Sequence, residues 1–416
     1  MKHEMRREAY PARLLDGQTM PEGFTITTYE NVLIYGAQVV AYGIFVALKE
    51  VYGIHAKSFV VSETENNPER IEGIPVQTIE NIKYDNENTV ILIGTSEILH
   101  EEIMRILYEK GYENFICVDA RLEHMIMSEY FRKINKFPLL SDFPNIPGAR
   151  TSCPQVIEKY GQYARVQGDS TIASLPGDFT EPRKYKSDTK DLRVYMVKSH
   201  FDKPLKNHFL LPEWVIPIQA GAALTDRRVA EYLDMDGENI SVKNRNYCEL
   251  TVTYWVWKNT RHPFKGICHY RRMLKLNQHE LEALLSGDID AVLPLPYICF
   301  PDTKAQWGRF VPAKAWEAVE TVLRETSPKY LATAEKILPG RFIYNYNMLI
   351  AKAEVFDAYC EWMMPILEKA EQIYETEAEI RQDRAMAYAG EVLTALFFLH
   401  HENDLRIRHA EKICVV

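Results

Sequence analysis

Continuous apolar runs closed by glycine or a polar residue recur along the chain, as expected of strands buried on both faces of a sheet. Asn31 to Gly36, Ala56 to Ser62, Thr89 to Gly94 and Asn114 to Asp119 are such runs, with helical patterns at Val39 to Tyr52 and Glu97 to Lys110. Strands alternating with helices predict a doubly wound, Rossmann-like α/β unit over about residues 25–135. The periodicity then dissolves. Pro138, Pro144, Pro147, Pro154, Pro176 and Pro182 interrupt any helix or strand pattern, leaving one short helix at Gln155 to Tyr163. A second α/β unit opens at Leu192 to Val197, with further strands at Trp214 to Ile218, Gly266 to His269 and Ala291 to Leu295.

Within that second unit Ser241 is read as the N-cap of a helix running to Trp257, with Tyr247, Leu250, Tyr254 and Trp257 on its core face. The last third is helical. Phe356, Tyr359, Trp362, Met363, Ile366 and Leu367 form one stripe, Glu361, Glu368 and Glu371 its solvated side, and Arg381 to His400 a further helix. The predicted organisation is a Rossmann-like domain over 1–137, a proline-rich connector over 138–190 and an α/β domain with a helical C-terminal part over 191–416.

A chain of 416 residues fits two domains, and 46% hydrophobic with 26% charged residues fits a globular protein. A net charge of −9 excludes a generally basic, nucleic-acid-binding surface, so any phosphate site must be local. Seven cysteines without a CxxC pair fit thiols in a reducing cytoplasm better than disulfides or a zinc site. Met1 to Gly17 lacks the apolar core of a signal peptide, and no apolar run approaches the roughly 20 residues that span a bilayer. The expected location is the cytoplasm, with contact at the inner face of a membrane left open.

The most informative string is Lys265-Gly266-Ile267-Cys268-His269-Tyr270-Arg271-Arg272. Its apolar part ends in polar, largely cationic residues. Ligands of α/β proteins gather at strand ends, and the planar guanidinium fork suits phosphate oxygens. Side-chain alternation along a strand would put His269 and Arg271 on one face and Tyr270 and Arg272 on the other. The alternative is a surface strand with solvated charges. Two Asp-x-Asp strings, Asp234-Met235-Asp236 and Asp288-Ile289-Asp290, have the chemistry to hold a divalent ion, but a solvated loop is the simpler reading of both. A weak nucleotide loop at Gly36, Gln38 and Gly43 departs from the dinucleotide fingerprint, because Gln38 replaces the glycine that lets a pyrophosphate approach.

These motifs together resemble the bacterial proteins carrying domain of unknown function 4422. That family occurs in capsule and exopolysaccharide gene clusters and looks like glycosyltransferases of the GT-A fold. The resemblance covers about residues 192–405. It rests on Pro217-Ile218-Gln219-Ala220-Gly221, Asp234, Gly237 to Ser241, Lys243-Asn244, Tyr247 to Thr251, Tyr254 to Asn259 and Gly266 to Arg272, with Asn347 to Ile350, Phe356-Asp357, Arg384 and Gly390-Glu391 as fainter echoes. A Thr-His-Lys-like family string reads Lys198-Ser199-His200-Phe201 here, and a family histidine near Trp307 to Val311 is missing.

The resemblance implies transfer of a sugar from a nucleotide-sugar donor, most simply a UDP-sugar, to a glycan or lipid-linked sugar acceptor. GT-A relatives end the corresponding strand with a metal-binding Asp-x-Asp. His269, Tyr270, Arg271 and Arg272, with Lys198 and His200, would instead hold the diphosphate without metal. Glu391, Asp234 and Glu249 are the candidate bases, although Glu249 has the simpler reading of a loop anchor. Asn239, Ser241, Asn244, Asn259, Asn347 and Arg384 are candidates for sugar or acceptor contacts, with turn capping as the alternative for Asn239, Asn244 and Asn259. Two rival readings stand beside this one: an NAD-type oxidoreductase or sugar-nucleotide-modifying enzyme using the N-terminal unit, and a non-catalytic assembly protein.

Overall fold

A computed structural model describes residues 29–130 and 189–414, apart from residues 66, 120–121, 124–125, 128–129, 205–210, 277, 378–383, 403 and 411. The chain divides into two compact units, Met1–Lys133 and Ile134–Val416. The predicted connector and its short helix at Gln155 to Tyr163 lie almost wholly outside the described residues. Among the described residues no helix is long and apolar enough to cross a membrane.

The first unit contains β1 (Asn31–Tyr35), α1 (Val39–Ala47), β2 (Ser58–Val61), β3 (Arg70–Ile71), β4 (Ile74–Thr78), β5 (Thr89–Ile93), α2 (His100–Glu109) and β6 (Phe115–Cys117). Its sheet has the order β3-β4-β2-β1-β5-β6. All pairs are parallel except the short β3–β4 ladder. Strand order therefore reverses between β1 and β5. The predicted helix to Tyr52 is α-helical only to Ala47; Leu48–Tyr52 is a π-helical turn that ends on Gly53 in the left-handed region.

The second unit contains β7 (Leu192–Lys198), β8 (Val215–Gln219), β9 (Tyr232–Leu233), α3 (Leu250–Asn259), β10 (Phe264–His269), β11 (Arg272–Leu274), α4 (Gln278–Leu285), β12 (Ala291–Pro294) and β13 (Tyr297–Ile298). These are followed by α5 (Thr303–Gly308), α6 (Ala313–Thr326), α7 (Pro328–Ile337), β14 (Phe342–Ile343), β15 (Leu349–Lys352), α8 (Ala353–Glu377), α9 (Ala385–His400), β16 (Ile407–Ala410) and β17 (Lys412–Cys414). The sheet runs β16-β12-β15-β10-β7-β8-β9, and β11 pairs with both β10 and β17. β7, β8, β9 and β10 are mutually parallel, whereas β15 lies antiparallel between β10 and β12. The loops after β7, β8 and β10 thus leave the sheet at the same end, where open α/β sheets bind ligands.

Three expectations need correction. The helix expected from Ser241 to Trp257 is broken: a helical turn at Asn244–Tyr247 ends at Cys248 (φ 46°, ψ −124°), and α3 starts anew at Leu250. The restart turns Val252, Trp255 and Val256 into the core and leaves Tyr254 and Trp257 half-buried. Glu371, expected on a solvated face, is buried and accepts from Lys243 Nζ (2.6 Å), Asn246 Nδ2 (3.2 Å) and Tyr247 Oη (3.0 Å). A carboxylate that pins a neighbouring segment from inside has the same helical spacing as one facing water.

Gly266 is required by the close approach of β10 and β15. A Cβ there would run into the Leu349 carbonyl oxygen and lie 2.9 Å from Ile350 Cα. Backbone cannot yield as a flexible side chain can, so Gly266→Ala should destabilise the second unit by about 1–3 kcal/mol. Urea unfolding followed by tryptophan fluorescence reads this, and an unchanged midpoint would show that the strands separate freely.

Candidate functional site

The string that ends β10 is not one extended strand. Tyr270 and Arg271 form a tight turn, and His269 lies directly opposite Arg272 in the β10–β11 ladder. Opposed residues share a face, so His269 goes with Arg272, and the expected pairing of His269 with Arg271 is wrong. The Tyr270 N–H still donates to the Val197 carbonyl at 3.0 Å, which ties the turn to the end of β7.

Two small environments result. On one side Arg271 lies over the Tyr270 ring (5.0 Å) and near Asp202, whose carboxyl burial raises to about 6 against the bond from Ser199 N and the charges of Arg271 and Lys198. Arg271 Nε and His200 Nδ1 are buried without a hydrogen-bond partner among the described residues. Lys198 is the half-buried last residue of β7.

On the other side stand His269, Arg272, Glu249 and Glu391, gathered around Tyr346 and Asn347. His269 Nε2 lies 2.7 Å from the Tyr346 carbonyl oxygen. A carbonyl only accepts, so Nε2 carries the hydrogen. Burial holds His269 below its ordinary pKa, Arg272 and Arg271 push the same way, and Glu249 opposes them. At neutral pH the ring is uncharged, so the positive charge of this hairpin resides on its arginines. Arg272 lies over the Tyr346 ring at 4.3 Å.

Glu391 Oε1 accepts from Tyr346 N at 2.8 Å. Burial lifts this carboxyl to about 8; the nearby charge of Glu249 adds to the rise, while the Tyr346 bond and Arg272 oppose it. Glu249 Oε1 accepts from Asn347 Nδ2 at 2.7 Å, and the same amide donates to the Ala387 carbonyl at 3.0 Å. Tyr346 (φ 77°) and Asn347 (φ 49°) are both in the left-handed region. Gly390 makes room for them: a Cβ there would lie 3.2 Å from Asn347 Oδ1 and 2.7 Å from Leu250 Cδ1.

Several candidates serve the fold instead. Asp234 is fully buried, and its two oxygens accept from Gly221 N (2.8 Å), Ala222 N (3.0 Å), Ser241 Oγ (2.5 Å) and Thr251 Oγ1 (2.7 Å). A carboxylate so enclosed has no lone pair facing a substrate. Ser241 is accounted for in the same cluster and also accepts from Ala223 N. Asn239 closes its own turn through Met235 O, Gly237 O and Ser241 N. Asn244 bonds Cys248 O and Thr251 Oγ1, and Asn259 clamps both backbone groups of Glu238. For these amides the turn-capping alternative prevails.

Asn347 is 2% exposed and committed to Glu249 and Ala387. Arg384 is exposed at the left-handed N-cap of α9 (φ 64°). The other Asp-x-Asp ends in Asp290, held below the ordinary carboxylate range because bonds from Arg406 and Lys352 outweigh its burial.

In the first unit Gly36 (φ 113°) answers a packing need, since a Cβ would meet the Gly94 carbonyl oxygen at 2.8 Å. Gln38 bonds Asn67 Oδ1, and Gly43 packs on Met127 Sδ. These positions have structural roles that need no nucleotide.

Tyr346, Asp202, Tyr297 and Lys412 were not singled out by sequence reasoning. The run Tyr344-Asn345-Tyr346-Asn347 held a faint signal, because asparagine tolerates left-handed backbone. Lys412 and Tyr297 carried none.

The second unit is an α/β sheet with a cationic hairpin and a nearby pair of carboxyl groups at the end where β7, β8 and β10 finish. The chain belongs to the family described as Domain of unknown function (DUF4422), whose model matches residues 196–403. No curated protein matches it. Among solved structures it is similar to the apo structure of the bifunctional glycosyltransferase WbbM, at 22% identity and a TM-score of 0.47, covering 54% of this chain and 45% of that one. The chain thus spans less than half the length of that protein.

Two outcomes test the division of roles. Asp234→Ala strips acceptors from two buried amides and two hydroxyls, so it should cost about 3 kcal/mol in chemical unfolding; a variant of wild-type stability would return Asp234 to the candidate bases. Glu391 keeps its proton to about pH 8 when folded and, near 4.5, loses it when unfolded. Its contribution to stability is therefore complete below about pH 4.5 and is lost as pH rises through about 8. Glu391→Gln cannot ionise, so its thermal midpoint should gain on the wild type between about pH 5 and about pH 9. A constant offset would show that the carboxyl is not raised.

Proposed function

We propose that the second unit is a GT-A-like glycosyltransferase domain that moves a sugar from a nucleotide-sugar donor, a UDP-sugar in the simplest case, to a cell-surface glycan or lipid-linked acceptor. The observation that carries the reading is the hairpin turn. There a guanidinium with an unsatisfied, buried Nε (Arg271) precedes one (Arg272) that lies beside a carboxyl titrating at about 8. A buried donor without an acceptor is costly unless a ligand supplies one. The family match adds support.

In this reading the donor lies over the ends of β7, β8 and β10. Arg271 and Arg272 bind diphosphate oxygens, with Lys198 and His200 at the edge. The acceptor hydroxyl oxygen bonds to the anomeric carbon while the bond from that carbon to the donor phosphate breaks. Glu391 takes the hydroxyl proton, as in an inverting reaction, and the departing nucleoside diphosphate keeps the bonding electrons. The arginines stabilise that charge, the task metal performs in Asp-x-Asp relatives. A base with its pKa near the working pH combines useful ionisation with useful basicity. The first unit, with its parallel Rossmann-like strand order, serves as an accessory domain, and the protein works in the cytoplasm.

Transfer from a panel of UDP-sugars, measured with and without chelator, tests the reading. Activity should persist in chelator, and Glu391→Gln should lower kcat on the order of 10²–10⁴-fold. A strict requirement for Mn²⁺ or Mg²⁺ would overturn the cation assignment. Binding without transfer or hydrolysis across the panel would favour a non-catalytic protein, and thermal stabilisation by NAD but not UDP an oxidoreductase.

A further inference from the structure

Strand β17 brings a further cation to the same site. β17 pairs antiparallel with β11, placing Lys412 opposite Leu274, two residues along from Arg272. Lys412 is 7% exposed. Its ammonium donates to the Tyr297 hydroxyl and lies 4.0 Å from the Tyr297 ring centroid and 5.3 Å from that of Tyr346. The Tyr297 hydroxyl is 3.2 Å from the Tyr346 hydroxyl.

The direction of this chain follows from chemistry. An ammonium has no lone pair and can only donate. The Tyr297 oxygen accepts from it, and the Tyr297 hydroxyl in turn donates to the Tyr346 oxygen. The Tyr346 O–H hydrogen then becomes the terminal donor. Each link polarises the next, and the lysine charge strengthens the last donor without reaching the ligand itself. Arg272 lies over the Tyr346 ring at 4.3 Å, so the relayed donor and the guanidinium share one half-buried location.

We propose that Tyr346 is a phosphate-binding residue of the donor site, its hydroxyl driven through Tyr297 by Lys412, and that it binds the nucleoside diphosphate beside Arg272. This rests on the glycosyltransferase reading and extends it to three residues that sequence reasoning did not single out. Lys412 and Tyr297 act through Tyr346 and are positioning residues.

The test is calorimetric titration of the full chain with UDP in the presence of chelator, for the wild type, Lys412→Met, Tyr346→Phe and the double variant. Each single change should weaken UDP on the order of tenfold, as expected for loss of a hydrogen bond to a charged group. The double variant should bind no more weakly than the singles, because both changes cut one relay. If Lys412→Met fails to fold, as judged by its thermal midpoint without ligand, Tyr297→Phe interrupts the same relay and takes its place in the cycle. Unchanged affinity in either single variant, or losses that add in full, would overturn the relay while leaving the transferase reading intact. A wild-type chain that binds no UDP would defeat the donor assignment and the relay with it.

Discussion

The site depends on one backbone step, the consecutive left-handed residues Tyr346 and Asn347 between β14 and β15. Non-glycine residues there cost about 1–3 kcal/mol each, so the surroundings must hold them in place. The Tyr346 N–H is shared between Glu391 and Asn345 Oδ1, its carbonyl goes to His269, and the Asn347 amide goes to Glu249. Gly390 is small where α9 passes this step. One strained link therefore orients a hairpin histidine and two carboxyl groups, one on α9 and one at the N-cap of α3.

Carboxylates elsewhere in the unit show by contrast what distinguishes this pair. Asp234 is saturated by two amides and two hydroxyls, Asp290 is held by Arg406 and Lys352, and Glu371 is held by Lys243, Asn246 and Tyr247. Each ties loops or strands together and has little capacity left for a ligand. Glu391 has one backbone donor on one oxygen, sits near a second carboxylate, and lies beside an arginine that only partly offsets its desolvation. Glu391 is thus left less satisfied than those three, which is what makes it the candidate base of the proposal, whereas the saturated carboxylates act as anchors.

Strand positions were legible because a strand buried on both faces needs an unbroken apolar run, as in Asn31–Tyr35, Thr89–Ile93 and Leu192–Lys198. The helix break at Cys248 was not, because it arises where the bonded cluster of Asp234, Asn244 and Thr251 pulls the chain out of register. Nor was the turn after His269. Nothing in His-Tyr-Arg-Arg marks a two-residue reversal, which is set by the pairing of β11 with both β10 and β17. The candidate asparagines were ambiguous for a related reason: the same amide groups that suit sugar hydroxyls suit open backbone turns.

The alternation of strands and helices, the family likeness of residues 196–403 and the cationic string at the end of β10 were all readable along the chain. These properties are local, written in apolar runs and in neighbouring side chains. Tertiary structure alone decided which charges face each other. It paired His269 with Arg272, enclosed Asp234, raised Glu391 and brought Lys412 to Tyr297 from 115 residues away. A group's ionisation depends on desolvation and on neighbours through space, and neither can be read along a chain.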